Sequence, residues 1–127
     1  MPNKILIADD DPGIVDAVEM MLTFCGYDVS FTYNGQDVLT LESNELPDLV
    51  LLDIWMSGVD GRDVCRELKA KAEMRDIPVL MISASKDVGQ SALNAGADAF
   101  MTKPFDMQQL INNIESLLNA KGKSAVA

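Results

Sequence analysis

The chain has 127 residues, 48% hydrophobic and 24% charged, with twenty acidic against ten basic side chains and a formal charge of −10. That length suits one domain with an apolar core and is too short for such a domain plus a separate output module. The acidic balance repels nucleic-acid phosphates and anionic lipid, no apolar run reaches the roughly 18 residues of a membrane span, and the absence of histidine excludes a histidine base, a histidine metal site and a phosphohistidine.

In chain order, the first element is a short apolar run, Ile5-Leu6-Ile7-Ala8. It follows Met1-Pro2-Asn3-Lys4 without the long apolar segment of a secretory signal, so a cytoplasmic location is expected. Ile14, Val18, Met21, Leu22 and Cys25 then repeat at helical spacing up to Gly26. Tyr27, Val29 and Phe31 alternate with Asp28, Ser30 and Thr32, as in an edge strand with one wet side. A weaker helix fits near residues 35 to 43, and Leu49-Val50-Leu51-Leu52 is the next continuously apolar run. Val64, Leu68 and Ala72 mark a helix, Val79-Leu80-Met81-Ile82 a further buried strand, and residues 86 to 94 another weak helix. Ala97, Ala99 and Met101 alternate with Asp98, Phe100 and Thr102. Met107, Leu110, Ile111, Ile114, Leu117 and Leu118 form the last helical stripe, with Lys121 and Lys123 near its negative end. A domain over residues 1–121 and a frayed tail over 122–127 are expected. Cys25 and Cys65, without CxxC spacing, read as reduced structural thiols.

Strands alternating with helices predict a three-layer, doubly wound α/β fold: a five-stranded parallel sheet with right-handed crossovers and helices on both faces. With the two alternating strands at the edges, the strand order is 2-1-3-4-5, the flavodoxin-like order. Ligand then binds beyond the carboxyl ends of strands 1 and 3, where the direction of winding reverses.

Those carboxyl ends carry chemistry. The first strand runs into Asp9-Asp10-Asp11, the third into Asp53, the fourth into Ser83-Ala84, and the fifth into Lys103-Pro104. Asp11, just before Pro12, suits an N-cap. Asp9 and Asp10 converging with Asp53 would repel one another unless a cation neutralised them. A hard divalent ion fits such oxygen ligands, magnesium first and manganese as the alternative. Asp53 can act as nucleophile toward a phosphoryl group, with Lys103 as a point charge and Ser83 as a hydroxyl donor.

The segments Ile5-Leu6-Ile7-Ala8-Asp9-Asp10-Asp11-Pro12, Leu51-Leu52-Asp53-Ile54-Trp55-Met56-Ser57-Gly58-Val59-Asp60-Gly61, Ile82-Ser83-Ala84 and Gly96-Ala97-Asp98-Ala99-Phe100-Met101-Thr102-Lys103-Pro104-Phe105 resemble response-regulator receiver domains of two-component signalling. The resemblance covers essentially the whole chain. It implies that Asp53 is the phosphoacceptor, that Asp10, Asp53 and the Trp55 main-chain carbonyl bind magnesium directly, and that Asp9 assists through water. It further implies that Ser83, the Ala84 main chain and Lys103 grip phosphoryl oxygens, that Ser83 and Phe100 form a switch pair, and that the Lys103-Pro104 bond is cis. Trp55 and Ser85 fall at positions flanking the path of a hydrolytic water.

The phosphoryl donor implied is a histidine kinase or a histidine phosphotransfer protein, docking near Gly13, Ile14, Ala17, Pro104 and Phe105, where apolar residues sit beside the acidic site. A downstream protein would read the fourth helical segment, the fifth strand and the last helix. Ser57 departs from the proline usual in that loop, and Trp55 is large for its position. A stand-alone signalling switch is one expectation and a receiver excised from a larger hybrid kinase or regulator another. An aspartate-nucleophile phosphatase would want a second acid where Trp55 stands, and a receiver that only binds partners would not keep the phosphorylation residues.

Overall fold

The computed structural model describes residues 3–56 and 58–126, with side chains through Ala120, so Ser57 and Ala127 lie outside the described residues, and the backbone of 122–126, where a frayed tail was expected, continues the last helix. In chain order the elements are β1 (Lys4–Ala8), α1 (Pro12–Phe24), β2 (Asp28–Thr32), β3 (Leu49–Asp53), β4 (Trp55–Met56), β5 (Val59–Asp60), α2 (Gly61–Ala70), β6 (Val79–Ser83), α3 (Gly89–Asn94), β7 (Ala99–Thr102) and α4 (Met107–Val126). Five strands form one parallel sheet in the order β2-β1-β3-β6-β7, which is the expected order with the hairpin β4-β5 set aside.

The continuous apolar runs serve two cores at once, because successive side chains of a strand leave on opposite faces. Ile5, Ile7, Leu49, Leu51, Leu80 and Ile82 pack with Val15, Val18 and Leu22 of α1 and with Leu110 and Ile114 of α4. Leu6, Ala8, Val50, Leu52, Val79 and Met81 pack with Val64, Cys65 and Leu68 of α2 and with Ala92 of α3. Each interior strand is therefore clamped between helices and its carboxyl end is held in register with its neighbours. The far end of the sheet has its own staple. Lys69 Nζ donates to Asp98 Oδ2 at 2.9 Å and to the Ile77 carbonyl at 2.8 Å, and Asp98 Oδ2 also accepts from Val79 N.

Three expectations need correction, and the weak helix near 86 to 94 is present in composite form. The helix near residues 35 to 43 is two 3-10 turns, Gly35–Thr40 and Ser43–Glu45. Asn34 caps the first, Thr32 Oγ1 donates to Asp37 Oδ2 at 2.7 Å, and Leu41 is already extended, so the segment ends before an α-helix can propagate. The helix begun near Val64 starts at Gly61 and stops at Ala70, leaving Ala72 exposed while Met74 and Ile77 fill the core. The weak helix near 86 to 94 is a 3-10 turn, Lys86–Val88, running into the short α3. Cys25 does not close the α1 stripe: it is the exposed C-cap, followed by Gly26 at φ +96°, a left-handed turn that glycine adopts without a Cβ penalty.

Gly61 fixes the hairpin to the sheet. Its N–H donates to the Ile54 carbonyl at 2.6 Å, and a Cβ there would collide with the Asp53 carbonyl and stand 3.0 Å from Ile54 Cα. Both obstacles are backbone, so neither can swing aside. Gly61→Ala should therefore lose about 1–3 kcal/mol in urea unfolding, the usual cost of overpacking. Gly13→Ala, whose new methyl would meet only Asp11 Oδ1 at 3.3 Å, should be neutral or gain stability.

Candidate functional site

Three strand ends converge on one rim. Asp53 is the last residue of β3, in register with Ile82 of β6. Asp9 follows β1 and is tied to β2 by Asp9 N donating to the Thr32 carbonyl at 3.2 Å. Lys103 follows β7, and its N–H donates to the Ser83 carbonyl at 2.8 Å, which fastens the ends of β6 and β7 together. The Lys103-Pro104 peptide bond is cis. Asp11 caps α1 as expected, its Oδ1 accepting from Gly13 N at 2.9 Å and from Ile14 N at 3.4 Å.

Asp9 and Ser83 are fully buried and Asp53 nearly so, whereas Asp10 is half-exposed. One carboxylate oxygen from each of Asp9, Asp10 and Asp53 lies within 4.8 Å of the others. Lys103 sits between two of them, with Nζ 2.9 Å from Asp9 Oδ2 and 3.4 Å from Asp53 Oδ2. Asp9 Oδ1 accepts from Asp11 N at 3.0 Å, and Ser83 Oγ accepts from Ser85 N at 3.2 Å.

The electrostatics follow from burial. The Asp53 carboxyl is pushed up to about 6, first by desolvation and then by the charge of Asp9, with Lys103 pulling the other way. Burial works against the Lys103 cation, yet its hydrogen bond to Asp9 and the charges of Asp53 and Asp9 hold its pKa above the ordinary lysine value. Lys103 pairs with Asp9 and Asp53 at once, so two buried carboxylates share its single ammonium. The donor set is all hard oxygen, close together and partly open to solvent at Asp10. These residues fit magnesium, which would supply positive charge to the rim and to phosphoryl oxygens.

The other expected residues fall around this centre. Ala84 is exposed and Ser85 half-buried, at the turn leading into α3. Phe100 is half-buried on the α2/α3 side, packed against that core. A Cβ on Gly89 would come within 3.2 Å of the Phe100 ring. Gly13, Ala17 and Pro104 are exposed, and Ile14 and Phe105 are half-buried against the α1/α4 core. The apolar surface of α1 extends past the expected docking residues to Met20 and Phe24, which are 75% and 89% exposed.

Trp55 lies at the surface of the hairpin. It is 53% exposed, and the Arg62 guanidinium carbon stands 4.8 Å from its ring centroid. Sequence reading missed Arg62 and the hairpin that brings it there. A seven-residue separation with no periodicity carries no sign of a cation over an aromatic face, although the Trp55↔Asp60 pairing across Gly58 creates it.

A doubly wound sheet with an acidic, lysine-bridged rim defines a class of phosphoryl-handling signalling domain, and comparison with known proteins agrees. The response regulator receiver domain model matches residues 5–115, and the chain belongs to that family. It is 37% identical over 120 residues to response regulator MprA of Mycobacterium sp. (strain KMS), covering 93% of this chain and 51% of that protein. The chain thus spans about half the length of that relative. Among solved structures, a CheY-like receiver domain protein from Methanospirillum hungatei aligns with a TM-score of 0.87 and 29% identity, covering 98% of this chain and 99% of that one. The receiver domain of sensor histidine kinase PA1611 from Pseudomonas aeruginosa has the same fold, with a TM-score of 0.85, 24% identity, and coverage of 94% and 99%. That protein holds a magnesium ion in its active-site cleft.

The raised Asp53 value has a stability consequence with a definite sign. The folded chain binds this proton more tightly than the unfolded chain, so the group's contribution is complete below pH 3.8 and is lost as pH rises through about 6. At neutral pH without divalent cation the ionised side chain therefore costs stability, on the order of 2–3 kcal/mol at about 1.36 kcal/mol per pKa unit. Asp53→Asn should unfold at higher urea than wild type at pH 7.5 in chelator. The gap should close toward pH 4, and saturating magnesium should narrow it by stabilising wild type.

Proposed function

We propose that this chain is a phosphoacceptor switch that takes a phosphoryl group onto Asp53 from a histidine kinase or a histidine phosphotransfer protein. The observation that carries this reading is the convergence of Asp9, Asp10 and Asp53 on one rim with Lys103 between Asp9 and Asp53. Asp10, Asp53 and the Trp55 carbonyl are the direct magnesium ligands in this reading, with Asp9 assisting and manganese as a substitute ion.

The reaction is an in-line displacement. An Asp53 carboxylate oxygen attacks phosphorus, the phosphorus–nitrogen bond of the donor breaks, and the donor imidazole leaves with the bonding pair. Lys103, released from part of its pairing with Asp53, binds a phosphoryl oxygen as a point charge. The Ser83 hydroxyl donates to a second and the Ala84 N–H to a third. Ser83 is already buried at the rim, so its turn toward the phosphoryl group changes what lies beside Phe100, two register positions from it on β7. The surface formed by residues 86–94, β7 and α4 then changes its affinity for a downstream protein. This is a population shift needing only a few kcal/mol. Donor docking uses Gly13, Ile14, Ala17, Pro104 and Phe105. The chain is a signalling switch rather than an enzyme acting on a separate substrate, and a cytoplasmic location suits the reading. No helix among the described residues is long and apolar enough to cross a membrane.

A small acyl-phosphate donor with magnesium should add one phosphoryl group by intact mass, and Asp53→Asn should take none. Unchanged labelling in that variant overturns the assignment. Magnesium alone should change the emission of Trp55, and Asp10→Asn should abolish the response. Hydrolysis returns the switch when water attacks phosphorus opposite the aspartyl oxygen and the acyl carboxylate leaves. Trp55 and Ser85 flank that approach in this reading, and an indole offers area rather than a hydrogen bond to hold the water. Trp55→Asn should shorten the phosphate lifetime up to about tenfold, a change of about 1.4 kcal/mol in the barrier.

A further inference from the structure

Arg62 is the most connected side chain at the rim that no phosphoryl-transfer role uses. It is the second residue of α2, directly after Gly61, and its fork is spent on two elements. Nε donates to Asp60 Oδ1 at 3.0 Å and to Oδ2 at 3.2 Å, and Nη2 donates to Oδ2 at 2.7 Å. Nη1 donates to Ser91 Oγ on α3 at 3.0 Å, and the Ser91 hydroxyl in turn donates to the Val88 carbonyl at 2.9 Å. The flat face left over lies against Trp55. Asp60 is fixed twice more, by pairing with Trp55 across the hairpin and by capping α2 through Arg62 N at 2.9 Å.

A surface ion pair alone would be worth little. Here the geometry differs from a loose pair: the guanidinium is planar, bidentate, stacked and only partly exposed, so its orientation is determined from three sides. A half-exposed indole otherwise free to rotate is thereby held beside the strand end that carries Asp53. The same guanidinium reaches the helix whose first residue, Gly89, lies against Phe100.

We propose that Arg62 is a positioning residue for the phosphorylation site: it holds the Trp55 indole in place at the rim and, through Ser91, ties that rim to the segment behind Phe100. It touches no reacting atom and acts through Trp55. The lifetime part rests on the phosphoacceptor reading of Asp53. The clamp itself does not.

Two measurements separate the parts. Acrylamide quenching of Trp55, the single tryptophan, needs no phosphate. Arg62→Gln should raise the quenching constant, and Arg62→Lys, which keeps the charge but loses the stacked plane and the fork, should resemble Arg62→Gln rather than wild type. Ser91→Ala, which keeps the Asp60 fork, should move the constant less than either. The second measurement is decay of the labelled protein after donor removal, at saturating magnesium. Arg62→Gln should lose phosphate several-fold faster than wild type and match the decay of Trp55→Asn, and adding Arg62→Gln to Trp55→Asn should bring no further change. Quenching equal to wild type in Arg62→Gln overturns the clamp. Altered quenching with unaltered decay overturns the positioning role and leaves the phosphoacceptor reading intact. A wild type that takes no label overturns that reading together with the lifetime claim.

Discussion

The structure turns on a shortage of positive charge at a buried place. Asp9 and Asp53 are withdrawn from water and share one ammonium, that of Lys103. Buried carboxylates persist only where partners repay the lost hydration. Much of the local architecture supplies those partners. Main-chain N–H groups reach Asp9 from Asp11 and Ser83 from Ser85, and the Lys103 backbone is fastened to Ser83 while its ammonium pairs with Asp9 and Asp53. The parallel sheet makes this affordable to the fold, because β1, β3 and β7 end on the same side and each contributes one member of the charge set from a position clamped by helices.

The same rim is stiff in some directions and compliant in others. Gly61 binds the hairpin to the end of β3 so closely that no side chain fits, which fixes the backbone of Asp53 and Ile54. Beyond it, Trp55 and Asp60 project from a two-residue ladder with little backbone support of its own. Side chains must supply what the ladder lacks, and the Asp60 fork on Arg62 does so. On the other side of β6, the short α3 rests on Ala92, Val88 and the Phe100 contact rather than on a long apolar stripe. An element with so few buried contacts is the one most readily shifted by a change at the strand end.

Most of the sheet was legible because its signals are strong and local. Three apolar runs of four residues have no reading other than buried strands once Gly and Pro bound them, and two alternating segments name the edges. The rim residues followed from topology alone, since parallel strands carry whatever follows them to one side. What escaped depended on contacts between segments. Residues 35 to 43 have helical spacing, but Gly35 lies against Met56 of the hairpin and Thr32 binds Asp37, and neither contact can be read without the fold. Phe31 alternates correctly, yet it is 42% exposed and meets Tyr33, with ring centroids 5.3 Å apart. Two-residue strands have no period to detect, so the hairpin and the Arg62 contact it creates were invisible together.

The ion pairs of Lys103 link this charge shortage to the proposed switch. In the unphosphorylated chain its ammonium is committed to Asp9 and Asp53. A phosphoryl group turns the single charge of the Asp53 carboxylate into up to two, beside Asp9 and Asp10. In the proposed switch a divalent ion and Lys103, turned toward the new oxygens, would balance that charge. The Lys103 backbone is bonded to Ser83, and its chain continues back into β7, where Phe100 lies three residues away. In the same proposal Ser83, drawn to the phosphoryl group, pulls on the other strand of that pair. The two residues that answer the added charge are thus the two that join β6 to β7. A local demand for positive charge becomes a displacement between strands, and the lightly packed α3 beside them is the element free to follow it.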